Sequence, residues 1–200
     1  MVATRASILA ALGVALIASA GAGSLVLSRT AHTRAADTSP FPIGSVFTRA
    51  EWSKVMTALS ARGFDPSAAR VVSGLRLQSG NRPFALVRAA SPSRGLCFLP
   101  VRGVHPGAAT CSANGRLPAP LLVYAAGDRW AGHAATEVVG VARRSVAGVS
   151  IVDRKGIASG VALIPATGGL WSFAGGYSDA RLVVRARLAS SRIAAETTLP

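Results

Sequence analysis

Between Thr48 and Gly63 the apolar residues keep a helical period. Trp52, Val55, Met56 and Leu59 stand at i, i+3, i+4 and i+7, one face of a helix. Thr48 and Glu51 form the S/T-x-x-E capping box, and Phe47 with Trp52 fits the hydrophobic staple across the helix start. Gly63 supplies the stop, so a helix is predicted over 48–62. Asp65-Pro66 has the form of a further cap, with Asp as N-cap and Pro at the first helical position, and predicts one short helical turn. Beyond it the period changes. Short runs rich in Val, Leu, Ile and aromatics alternate with Gly, Pro, Ser and Asn clusters, the pattern of an antiparallel β-sandwich or barrel. Strands are predicted near 70–77, 83–89, 95–101, 120–126, 135–143, 146–153, 157–164, 169–174, 181–188 and 192–198. Asp153 to Gly156 has a type I turn signature, and Gly168-Gly169 and Gly175-Gly176 bracket another strand pair. Along 181–188, Leu182, Val184, Ala186 and Leu188 alternate with Arg181, Val183, Arg185 and Arg187, so the arginines share the outer face.

Ahead of this domain, Ser7 to Leu27 runs without a charge, preceded by Arg5 and followed by Arg29. At about 1.5 Å rise per residue the stretch matches a bilayer core of roughly 30 Å, the length of a transmembrane helix. It also has the form of a signal peptide, with a short positive start, an apolar run from Ile8 to Ile17 and the small-x-small pattern Ala18-Ser19-Ala20. Retained anchor and cleaved leader both remain open. No Cys precedes Cys97, which excludes a lipobox, and no Arg-Arg pair precedes the apolar run. The expected organisation is a signal peptide or anchor over 1–28, a Pro-containing linker over 29–46, and an extracytoplasmic β-rich domain over 47–200. The amino terminus is expected inside and the bulk of the chain outside, on the cell membrane or secreted.

Composition changes this picture in one respect. The chain carries 22 basic and 8 acidic side chains, a net +14, and only Lys54 and Lys155 are lysines. A field of that sign favours an anionic lipid or cell-wall polymer, and the outer face of 181–188, with Arg181, Arg185 and Arg187, is the expected surface for it. An Arg-, Ala-, Gly- and Val-rich composition is also what a GC-rich genome produces without any ligand. No nucleic-acid partner is expected.

Candidate chemistry is sparse. Cys97 and Cys111 are the only cysteines, and an even count in an oxidising compartment reads as a disulfide. Closing that loop would stabilise the fold by about 3 kcal/mol in the chain-entropy treatment. A metal site would add His105 at Cys-x7-His-x5-Cys spacing, but no second close pair completes a tetrahedron. No G-x-S-x-G elbow, close carboxylate pair, G-x-G-x-x-G or Walker loop occurs. Asp128 and His133 could be joined to one of many serines as a dispersed hydrolase set, a weak pattern because almost any serine would serve. The residues therefore indicate a non-enzymatic binding or structural module without cofactor, with an exported hydrolase and an anionic-surface binder as the alternatives.

The stretch from Gly140, GVARRSVAGVSIVDRKGIASGVALIPATGGLWSFA, resembles a segment of exported and membrane-anchored proteins of high-GC bacteria. Phe64-Asp65-Pro66-Ser67-Ala68-Ala69-Arg70 is similar to their short helix, and Gly95-Leu96-Cys97-Phe98-Leu99 with Cys111 to their strand-borne cysteine pair. The resemblance covers roughly residues 41–175 and departs where Ala142-Arg143-Arg144-Ser145 replaces their Pro-Asp-Gly turn. It implies a tethered or secreted immunoglobulin-like β domain and carries no activity with it. The expected fold is thus mainly β, an immunoglobulin-like antiparallel sandwich or barrel-like sheet, with one amphipathic helix at its start and a hydrophobic leader helix before it.

Overall fold

The structure is a computed structural model that describes residues 46–77, 80–130, 133–166, 168–177 and 181–199, without the side chains of 128–130, 133 and 134. The leader over 7–27 and the linker through residue 45 lie outside the described residues. Among the described residues, no helix is long and apolar enough to cross a membrane.

Helix α1, Arg49–Ala61, begins as its sequence dictates: the Thr48 hydroxyl accepts from the Glu51 amide, and the Glu51 carboxylate accepts from the Thr48 amide at 2.7 Å. The Phe47 and Trp52 rings meet with centroids 5.3 Å apart, closing the staple. At the other end Gly63 adopts φ +76. Its amide donates to Ser60 O and that of Phe64 to Leu59 O, a Schellman stop that only glycine enters without strain. Val46, expected as the last linker residue, is 2% exposed and packs over Gly74.

Among the described residues the strands pair antiparallel and form three sheets. The first sheet holds β1 (Asp65–Arg76), β2 (Pro83–Ser91), β3 (Gly95–Arg102), β4 (His105–Pro106) and β5 (Thr110–Ser112). The second holds β6 (Leu121–Trp130), β7 (His133–Arg143), β10 (Ile164–Ala166) and β11 (Leu170–Tyr177), in the order β10-β11-β7-β6. The third holds β8 (Val146–Val152), β9 (Ala158–Val161), β12 (Leu182–Leu188) and β13 (Ile193–Leu199), in the order β13-β12-β8-β9. Exchanging β6 to β9 with β10 to β13 leaves both of these orders unchanged apart from direction, so the two sheets are built from two interleaved four-strand halves.

Among the described residues, three cores separate the layers. Val55 and Leu59 of α1 pack on Ala85, Val87, Leu99 and Val101, the outer face of the first sheet. Its other face, with Phe84, Leu86 and Phe98, packs on Val139, Val141 and Leu170 of the second sheet. The second sheet turns Val138, Ala142 and Phe173 toward Ile151, Leu182 and Val184 of the third. A middle layer buried on both faces explains why β7 reads as a nearly continuous apolar run instead of an alternation. Phe173 packs on its partner Gly140, where an added Cβ would clash with the ring's Cζ.

Two local expectations fail for identifiable reasons. Asp65-Pro66 opens β1 and caps no helix, because the Asp65 carboxylate closes on Ser67, accepting from its amide at 2.9 Å and its hydroxyl at 2.7 Å. The Gly175-Gly176 pair lies inside β11, opposite Val138 and Glu137. There the glycines make room for the Tyr177 hydroxyl and the Glu137 carboxylate, which a Cβ at either position would meet. Gly168-Gly169 is the turn predicted, both residues having positive φ.

Candidate functional site

The alternation that builds the core between the first and second sheets also positions the site. On β2 the inward series is Phe84, Leu86 and then Arg88; on β7 it is Val139, Val141 and then Arg143. At the same end of both sheets an arginine thus stands where the pattern would place another apolar side chain. The layers open there into a cleft of about 300 Å³. Leu96, Phe98, Leu117 and Leu170 form its apolar lining, Arg88, Arg116 and Arg143 its cationic lining, and Gly115, Gly168 and Gly169 its turns.

Each arginine arrives on a different element. Arg143 ends β7, its Nη2 donating to Leu117 O at 2.7 Å and its amide to Pro120 O at 2.9 Å, so it is braced against the connection from β5 to β6. Arg116 follows a turn closed by Asn114, whose Oδ1 accepts from the Ser112 hydroxyl at 2.5 Å and the Arg116 amide at 3.0 Å. Arg88 lies against the backbone of the turn from β10 to β11, its Nη1 only 2.7 Å from where a Gly168 Cβ would stand. With φ +77 as well, Gly168 is required both for the turn and for the guanidinium beside it.

Among the described residues no carboxylate, hydroxyl, thiol or imidazole lines the cleft. Four of the acids are engaged elsewhere. Glu51 pairs with Arg76 at 2.9 Å, Glu196 with Arg185 at 2.5 Å, and the Asp65 and Asp153 carboxylates close their own turns. Among the described residues, the guanidiniums therefore meet no compensating charge in the walls of the cleft. Such a lining can hold an oxyanion through forked N–H donors.

The residues anticipated from sequence lie elsewhere. Cys97 and Cys111 face each other across β3 and β5 and are joined by a disulfide. The sulfurs are thereby committed to each other and not to a metal, and among the described residues no group of three His, Cys, Asp or Glu could hold a metal. Arg181 precedes β12, and Arg185 and Arg187 lie on its outer face as expected; Arg185, however, is neutralised by Glu196. The β6–β7 register sets His133 opposite Trp130 and Asp128 opposite Ala135, and the side chains of Asp128 and His133 lie outside the described residues. Arg144, in the turn after β7, stacks 4.0 Å over the Trp171 ring and takes no part in the cleft.

Arg88, Arg116 and Arg143 are not singled out by the sequence pattern, although a signal exists for two of them: an arginine at the inward register of an otherwise apolar strand. Comparison with family models, with curated proteins and with solved structures finds no match to this chain.

Proposed function

We propose that this chain is a non-enzymatic extracytoplasmic binding module, membrane-tethered through residues 7–27 or secreted, that holds an anionic ligand in the cleft between its first two sheets. The observation that carries the reading is the lining itself: Arg88, Arg116 and Arg143, with no acid among the described residues beside them, over an apolar floor. Strongly charged surfaces bind by steering and by desolvated ion pairing, and a concave site with a low-dielectric wall strengthens both. The cleft takes over the role that the sequence pattern assigns to the outer face of β12, because Glu196 already compensates Arg185 there.

The test is calorimetric titration of the full chain with a panel of carboxylates, sulfates and phosphates at low and high salt, alongside a broad ester, peptide and glycan hydrolysis screen. Saturable binding that weakens with salt and is reduced in Arg116→Gln supports the reading. Turnover in the screen, or no binding by any anion, removes it.

A further inference from the structure

Resting on the anion-binding reading, we infer that the ligand carries a terminal phosphate monoester attached to a small apolar or aromatic group. Charge points to phosphate. Three guanidiniums, with no acid among the described lining residues, present three positive charges to one ligand. A carboxylate or sulfate ester supplies one negative charge and leaves two of the three positive charges unmatched, whereas a phosphate monoester brings about −1.5 to −2 at neutral pH and three acceptor oxygens. Those three oxygens suit N–H donors arriving from three separate elements, β2, the turn after β5 and the end of β7.

Volume and lining point to the organic part. A cleft of about 300 Å³ lies at the small end of ligand pockets and exceeds what a bare phosphate fills. The remaining space is bounded by Leu96, Phe98, Leu117 and Leu170, which have no hydrogen-bonding side chains to offer a sugar or peptide. The same chemistry occurs in soluble phosphomonoesters and in lipids with a terminal phosphate.

The experiment compares phenyl phosphate, phenyl sulfate, benzoate and inorganic phosphate on the full chain by calorimetry at pH 8 and pH 5. At pH 8 phenyl phosphate is expected to bind at least tenfold more tightly than phenyl sulfate or benzoate, and more tightly than inorganic phosphate. Its advantage over sulfate shrinks at pH 5, because the phosphate loses its second charge below about pH 6. Arg116→Gln, at an exposed turn position, and Arg88→Gln each lower phenyl phosphate affinity about tenfold, the weight of one charge-assisted hydrogen bond. Arg187→Gln, on the far sheet, leaves it unchanged.

Equal affinity for phenyl sulfate and phenyl phosphate at pH 8 overturns the phosphomonoester inference while leaving an anion-binding cleft. Equal affinity for inorganic and phenyl phosphate overturns the apolar part. Failure of all four probes overturns the cleft reading itself. Vesicles containing phosphatidic acid, with phosphatidylglycerol vesicles of equal charge as control, separate the sources. Retention on phosphatidic acid alone that phenyl phosphate displaces supports a lipid ligand, and phenyl phosphate binding without retention supports a soluble one.

Discussion

Ser73 shows how much one buried hydroxyl decides. It is fully buried at the interface of the first two sheets, donates to Phe173 O at 2.5 Å and accepts from the Gly140 amide at 3.3 Å. One side chain thus satisfies a carbonyl and an amide on the two central strands of the middle layer. Ser73→Ala leaves both groups buried without that partner and is expected to destabilise the fold by about 2 kcal/mol, read from the urea midpoint. A change below about 0.5 kcal/mol would mean that the two backbone groups find other partners. Glu51 is the residue-scale case for pH. Its hydrogen bonds from the Arg76 guanidinium, and then those from Thr48, hold its carboxyl at about 2 against the usual 4.5. A carboxyl depressed by folding stabilises the native state above its unfolded value and stops doing so as it is protonated. This contribution is therefore whole above pH 4.5 and fades as pH falls toward 2. With the pair a quarter exposed, about 1–2 kcal/mol is expected after solvent screening. Arg76→Gln should flatten the acid limb of a stability–pH curve between those limits, and an unchanged limb would assign the acid sensitivity to another group.

At the scale of elements, the short strands depend on what fastens them. β5 has three residues and three register pairs with β3, of which Cys97 opposite Cys111 is the central one. The segment it anchors continues into Arg116 and Leu117, so the disulfide stabilises one wall of the cleft. Replacing both cysteines by serine is expected to cost about 3 kcal/mol of stability, the chain-entropy value for a loop of this length, and to weaken anion binding because Arg116 loses its fixed base. Full affinity in the double variant would show that the Asn114 turn alone positions Arg116. The helix and the longer strands behave differently, since their ends are written in local chemistry. Thr48, Glu51 and Gly63 bound α1 where the sequence pattern places it, and the Asp153 turn joins β8 to β9, with the Gly156 amide donating to Asp153 O at 3.0 Å. Asp65-Pro66 misleads because a helix cap and an Asx turn begin with the same residue, and the pairing open to the next residues decides between them. Here β1 finds a partner in β2, and ladder pairing outweighs one short helical turn.

For the whole molecule, the local pattern determined a great deal: one capped helix, a succession of antiparallel strands and their outward and inward faces, down to Leu182, Val184 and Ala186 against Arg185 and Arg187. It also determined the disulfide, through the count of cysteines. These are set by interactions within a few residues or by compositional facts, and they do not wait for tertiary packing. The layering was decided elsewhere. A strand apolar on both faces announces burial but not what buries it, so the third sheet and the interleaved halves follow only from the pairing of β7 with β11 and of β8 with β12. The cleft belongs to the same class. Arg88, Arg116 and Arg143 are separated by tens of residues and share no motif. Their proximity comes from two sheets stacking in register, so that two inward series end in charge at the same rim. Long-range register carries no short-range signature, which is why the strand arginines on β12 were legible in the sequence and the arginines that line a cavity were not.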